Sequence, residues 1–118
     1  SGRPMAFVNL GLSRLQLDQK EGAEAAFTRA LSMDRRNSAA LLEMGFLRLE
    51  AGDTEEAARY HSDYRATATT QSPRSLLLGL EIASAVGDWD TMGSYELALR
   101  NLYPDSSEYR LWVERQSR

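Results

Sequence analysis

The sequence predicts an all-α protein, a right-handed α-solenoid of three two-helix repeats that ends in a C-terminal capping helix. One observation is a series of glycines, Gly11, Gly45 and Gly79, which recur every 34 residues with apolar residues on both sides. The other is that the segments around them carry apolar residues at helical spacing, bounded by residues that begin or end helices. A fixed period of this length is typical of proteins built from stacked repeats.

The middle glycine of the series predicts a close helix contact. Gly45 lies inside the segment LEMGFLRLE, which otherwise favours a helix. A glycine in a helix interior costs about 1 kcal/mol relative to alanine. We therefore expect a second helix to approach each of the three glycines so closely that a side chain would collide.

The second helix of each unit follows the same period in the first two repeats. Three pairs of residues are separated by 34 positions: Ala23 and Ala57, Phe27 and His61, and Ala30 and Tyr64. A unit of this length with two antiparallel helices is characteristic of the tetratricopeptide repeat. We predict repeats at about 4–37, 38–71 and 72–104, the third with one inserted residue, and a capping helix at about 105–116. Together they are expected to form a single domain, a fragment of a longer array.

Local signals predict seven helices in order, at roughly 4–17, 19–33, 38–51, 54–68, 73–86, 89–102 and 106–115. The second, fourth and seventh begin at pairs with capping-box spacing, which are Asp18 with Glu21, Asp53 with Glu56, and Asp105 with Glu108. Gly52 ends the third helix before Asp53, and Gly87 with Asp88 forms the equivalent turn before the sixth. Pro73 stands at the first position of the fifth helix, where its missing N–H costs nothing.

The fifth predicted helix contains SLLLGLEIASAV, which is apolar nearly all round. A helix of this kind must be covered on both sides. We expect the second repeat to cover one side and Tyr109, Trp112 and Val113 of the last helix to cover the other. Arg110 and Arg115 would then face solvent, giving the polar outer end that a solenoid needs.

Composition excludes several function classes. The chain has 118 residues, a formal net charge of -3 and a sequence pI of about 5.2, so it lacks the basic field that holds nucleic acid. It contains no cysteine, which removes disulfides and thiolate chemistry. No apolar run reaches the roughly 20 residues that span a bilayer.

Catalytic groups are equally sparse, and we interpret the chain as non-enzymatic, with no cofactor, metal or small-molecule substrate. The single histidine, His61, occupies a packing position of the repeat and has no second histidine or cysteine to complete a metal site. Paired carboxylates such as Glu55 and Glu56 lie in a first helical turn, where the helix dipole already favours them. The sequence has no P-loop, GxGxxG or nucleophile elbow.

The predicted functional feature is a groove that binds a protein partner. In tetratricopeptide arrays the first helices of the repeats line a concave surface, and here its candidate positions are all apolar: Val8, Leu12, Leu42, Phe46, Leu49, Leu76 and Leu80. Such a lining suits an apolar strand or an amphipathic helix. The alternative is that these residues mainly pack the first helices against one another. Binding of a C-terminal carboxylate is not expected, because Asn9 is the sole match to the residues that such binding needs.

Two C-terminal runs resemble a known family, and they are SPRSLLLGLEIASAVGDWD and YELALRNLYPDSSEYRLW. They are similar to the C-terminal part of the PilW/PilF type IV pilus biogenesis and stability proteins. Two further runs look like the preceding repeats of the same proteins, namely FVNLGLSRLQL and AALLEMGFLRLEAGDTEEAARY. The tracts 74–79 and 102–109 go beyond what the generic repeat requires.

The resemblance implies a pilotin, a lipid-anchored protein on the periplasmic face of the Gram-negative outer membrane. Its partner would be the pilus secretin, which it would help to reach that membrane and to multimerise. The chain itself would be soluble, and its membrane association would depend on a lipidated cysteine that this sequence lacks. A second hypothesis stays open at this point: a general adaptor or regulatory domain whose groove binds a linear peptide of another partner.

Overall fold

The computed structural model describes residues 3–118, and this part of the chain is all helical. The helices are α1 (Pro4–Gln16), α2 (Lys20–Met33), α3 (Ser38–Glu50), α4 (Thr54–Thr67), α5 (Pro73–Val86), α6 (Trp89–Leu102) and α7 (Ser107–Gln116). The predicted all-α fold is confirmed, and every helix end lies within one residue of its predicted position.

Consecutive helices form hairpins: α1 packs on α2, α3 on α4, and α5 on α6. The connections are short, so the two helices of each hairpin run antiparallel. The chain divides into two compact units, Ser1–Ala68 with α1 to α4 and Thr69–Arg118 with α5 to α7. In the first unit α2 also packs on α3, which joins its two hairpins.

The core of the first unit explains the first glycine of the series. Phe27 on α2 is fully buried beside Val8 of α1, among small residues such as Ala23 and Ala30. A Cβ atom at Gly11 would lie 2.6 Å from the nearest ring atom of Phe27. The close approach expected at this position is therefore present, and its cause is the aromatic ring of the second helix.

Two of the turns between helices follow the predicted glycine and aspartate pattern. Gly52 has φ +85° and ends the turn after α3, and the Asp53 carboxylate then accepts the Glu56 N–H at 3.1 Å to cap α4. Gly87 has φ +75°, and Asp88 accepts the Thr91 N–H at 3.2 Å to cap α6. Positive φ is strained for residues with a side chain, which is why glycine suits both turns.

The predicted caps at Asp18 and Asp105 are wrong, each by one residue. Asp18 adopts φ +57° and takes the place of the turn glycine, since it lies 34 residues before Gly52. The N-cap of α2 is consequently Gln19, whose side chain makes no capping hydrogen bond. At α7 the cap is Ser106, whose hydroxyl accepts the Tyr109 N–H at 3.1 Å.

In the second unit, α5 begins with a capping box, in which two side chains cap each other's backbone N–H. The Ser72 hydroxyl accepts the Ser75 N–H at 3.1 Å, and the Ser75 hydroxyl accepts the Ser72 N–H at 2.9 Å. Pro73 stands at the first helical position, as predicted. The Tyr103 hydroxyl, just after α6, donates to the Gln71 carbonyl at 2.7 Å and ties the end of this hairpin to its beginning.

The last helix packs on α5, as a capping helix should. Trp112 is buried, and its indole N–H donates to the Glu96 carboxylate of α6. Two expectations for this helix are corrected. Val113 is 45% exposed, because it follows Trp112 and is turned about 100° away from the packed face. Arg115 does not simply face solvent, since its guanidinium forms an ion pair with Glu81 of α5.

Candidate protein-binding surface

Four of the seven candidate binding residues are buried in the folded chain. Their exposed fractions are 1% for Val8, 7% for Leu42, 3% for Leu76 and 0% for Leu80. Val8 belongs to the core around Phe27. Side chains buried to this extent offer a partner little surface, so packing is their evident role.

The other three candidates retain exposed area, and all lie in the first unit. Leu12 on α1 is 40% exposed, while Phe46 and Leu49 on α3 are half-buried. Leu12 and Phe46 occupy the same position of the 34-residue repeat, and both of their helices pack on α2. We call the exposed parts of these three side chains the first-unit apolar surface.

Polar contacts fix the helices that carry this surface. Arg14 of α1 donates to the Gly22 carbonyl of α2 at 2.9 Å, and Arg48 of α3 pairs with Glu24 of α2 at 3.3 Å. A second α2–α3 ion pair joins Lys20 to Glu50 at 2.7 Å. These bonds hold α1 and α3 to a shared α2, so the surface is formed by helices rather than by a loop.

The Lys20–Glu50 pair is fully at the surface of the molecule. The hydrogen bond to the Glu50 carboxylate, with the attraction of its charge, raises the pKa of Lys20 above its ordinary value. Lys20 is therefore charged at every physiological pH, and the pair persists across that range. Because both groups are exposed, the pair contributes little to the stability of the fold.

Polar side chains also lie in the interior of the described chain. His61 is 6% exposed, which agrees with its predicted packing position, and Glu43 is 7% exposed. Within residues 3–118 no group of histidine and carboxylate side chains is arranged to hold a metal ion. The burial of Glu43 was not predicted, since the sequence places a charged residue there with no sign of its surroundings.

None of the helices between residues 3 and 118 has both the length and the apolar character that crossing a membrane demands.

Several known proteins are similar to this chain in sequence and in fold. No family model matches the chain. The type IV pilus assembly protein PilF of Pseudomonas aeruginosa is 38% identical over 108 residues, which are 92% of this chain and 42% of PilF.

Two solved structures agree with this match. A structure from the functional characterisation of Pseudomonas aeruginosa PilF superposes with a TM-score of 0.83 at 34% identity, covering 95% of this chain and 50% of that one. PilW, described as a widely conserved type IV pilus biogenesis factor, superposes with a TM-score of 0.75 at 27% identity, covering 93% and 50%. The chain thus spans about half the length of these relatives. It belongs to the PilF/PilW family of type IV pilus biogenesis proteins.

Proposed function

We propose that the chain is part of a pilotin, a non-enzymatic scaffold that helps the type IV pilus secretin to reach the outer membrane and to multimerise. The observation that carries this proposal is the 38% identity to the pilus assembly protein PilF across 92% of the chain. The helical hairpins support it as well, because stacked hairpins present extended surfaces suited to protein partners.

The proposed location is the periplasmic face of the Gram-negative outer membrane. The relatives are a pilus assembly protein and a pilus biogenesis factor, and this supports a location in the cell envelope. This chain contains no cysteine, so a lipid attached to cysteine would have to be carried by a segment outside it. In this proposal the role of the chain is to bind protein.

The first-unit apolar surface is the proposed contact with the secretin. Leu12 has 40% of its surface in water, and Phe46 and Leu49 are partly exposed on the neighbouring hairpin. Covering apolar area contributes about 25 cal/mol for each Å² removed from water. A segment of the partner with apolar residues at helical or extended spacing gains this free energy when it docks.

Binding of the purified chain to the purified secretin tests this surface. We expect Leu12→Glu and Phe46→Glu each to weaken binding by at least about tenfold, because a buried carboxylate without a partner is costly. Leu10→Glu is the matched control. Leu10 is 38% exposed on the same helix, two positions away, and so points to nearly the opposite side.

Circular dichroism separates binding from folding in this experiment. The proposal requires both variants to keep the helicity of the wild type while Leu10→Glu keeps its affinity. Unfolding of both variants would assign Leu12 and Phe46 to packing alone. Equal loss of binding in all three variants would remove the surface from the proposal.

A further inference from the structure

A second exposed apolar face lies on α6 in the second unit. Trp89 is 64% exposed and Leu97 is 47% exposed, although tryptophan and leucine are usually covered. They stand four residues before and four residues after Gly93, so the three share one side of the helix. We call this side the α6 face, and Arg100 lies on it one further turn along.

Gly93 at the centre of this face is not explained by the fold of the described chain. A Cβ atom there would meet nothing within 4 Å, whereas one at Gly11 would lie 2.6 Å from the Phe27 ring. A glycine in a helix interior weakens the helix unless something comes close to the backbone. At Gly11 that neighbour is within the chain, whereas at Gly93 no described residue supplies one.

The order of residues along the α6 face is self-complementary. If two copies of α6 run antiparallel and cross at Gly93, Trp89 of each copy lies at the level of Leu97 of the other. The absent side chain at Gly93 then lets the two backbones approach each other, with an aromatic and an aliphatic residue packing on either side. A two-fold axis through the crossing makes both halves of the contact identical.

The charged residues of α6 also favour an antiparallel pair over a parallel one. Asp88 is the N-cap of α6, Asp90 lies in its first turn, and Arg100 lies in its last turn. In the antiparallel pair, Arg100 of one copy lies about one turn beyond Trp89 of the other, within side-chain reach of Trp89 and Asp88 for a cation–π contact and an ion pair. Glu96 of one copy lies level with Asp90 of the other, while parallel pairing would place every charge level with its own equivalent.

We propose that the α6 face is a docking site for a second copy of this chain, in an antiparallel α6–α6 pair centred on Gly93. A single helix pair buries less area than a standard protein interface, so the dimer is weak. Its dissociation constant is expected between about 1 µM and 1 mM. This contact is separate from the first-unit apolar surface and does not depend on the secretin.

Sedimentation equilibrium of the purified chain, up to roughly 1 mM, tests the proposal. The wild type is expected to shift from monomer to dimer as its concentration rises. Gly93→Gln places a long side chain at the crossing, and Arg100→Glu sets like charges against each other, so each should raise the dissociation constant at least about tenfold.

Leu102→Ser is the matched control for Trp89→Ser. Both residues are 64% exposed and both lie on α6, but Leu102 points to the opposite side of the helix from Gly93. Only Trp89→Ser should weaken the dimer. A wild type that stays monomeric throughout, or a dimer that Gly93→Gln and Trp89→Ser leave intact, would overturn the proposal.

Discussion

Gly11 and Gly93 both lie in the interior of a helix, but their surroundings differ. Gly11 stands against the buried ring of Phe27, and Gly93 faces open space. The 34-residue spacing predicted the contact at Gly11, because a repeated glycine implies a repeated steric need. The setting of Gly93 could not be predicted, since it lies outside that series and its surroundings depend on which side of α6 faces water.

Alanine at these two positions should therefore change stability in opposite directions. Gly11→Ala forces the Phe27 ring to move and should lower the free energy of unfolding by about 1–3 kcal/mol. Gly93→Ala meets no neighbour and should raise it by about 1 kcal/mol through helix propensity. Urea unfolding of both variants and the wild type at one low concentration measures both values. Shifts of the same sign would contradict this account of the two sites.

The helix ends show which structural features can be predicted from local sequence signals. The positions of all seven helices follow from apolar spacing and turn residues, and each end is within one residue. The cap at Asp105 was misplaced because the next residue, Ser106, is also a capping residue, and the cap at Asp18 because aspartate suits two roles at a helix end. It can cap a helix, as Asp53 does, or adopt the left-handed turn before the cap, as Asp18 does.

The start of α2 has no side chain that caps the helix. Gln19 occupies the position that Asp53 holds 34 residues later, and its side chain makes no capping bond. Gln19→Asp should raise the free energy of unfolding by about 0.5–1 kcal/mol, and Asp53→Ala should lower it by about 0.5–2 kcal/mol. Asp105→Ala, which removes a carboxylate that is not a cap, is the control and should have no effect in thermal unfolding. A stability loss from Asp105→Ala similar to that from Asp53→Ala would argue against the assigned cap of α7.

The cap of α6 depends on pH. Hydrogen bonds from Thr91 to the Asp88 carboxylate lower the pKa of Asp88 below its ordinary value. Because the folded pKa is the lower one, the ionised cap stabilises the fold above the unfolded pKa, and this is lost as pH falls through the folded pKa. Asparagine also caps helices but does not titrate. The Tm advantage of the wild type over Asp88→Asn should thus be present at pH 7 and disappear as pH falls through the lowered pKa of Asp88. An advantage that is constant down to pH 2 would show that the carboxylate charge has no part in the cap.

The position of a residue within the repeat predicts its helix better than it predicts whether its side chain is exposed. The period places Val8, Leu42, Leu76 and Leu80 correctly on first helices, yet all four are buried. Burial at such a position depends on which neighbouring helices cover it, and a repeat pattern does not contain that information. Leu12 and Phe46 show the same limit, since equivalent positions differ in exposure.

The last helix should be essential to the stability of the second unit. Trp112 is 3% exposed and bonds to Glu96, so Trp112→Ala should lower the free energy of unfolding by about 3–5 kcal/mol. Its neighbour Val113 is 45% exposed, and Val113→Ala should change it by less than about 0.5 kcal/mol. Denaturant unfolding of both variants checks this contrast. Similar losses would mean that α7 does not pack through the tryptophan side.

We propose that the chain supports the pilus secretin through the first-unit apolar surface. The amount of secretin multimer in the outer membrane of a strain that lacks the gene for this chain tests this proposal. The strain is complemented with the wild-type gene, with Phe46→Glu or with Leu10→Glu, at equal protein levels. We predict that the wild type and Leu10→Glu restore the multimers and that Phe46→Glu does not. Undiminished multimers in the deletion strain itself would contradict the account.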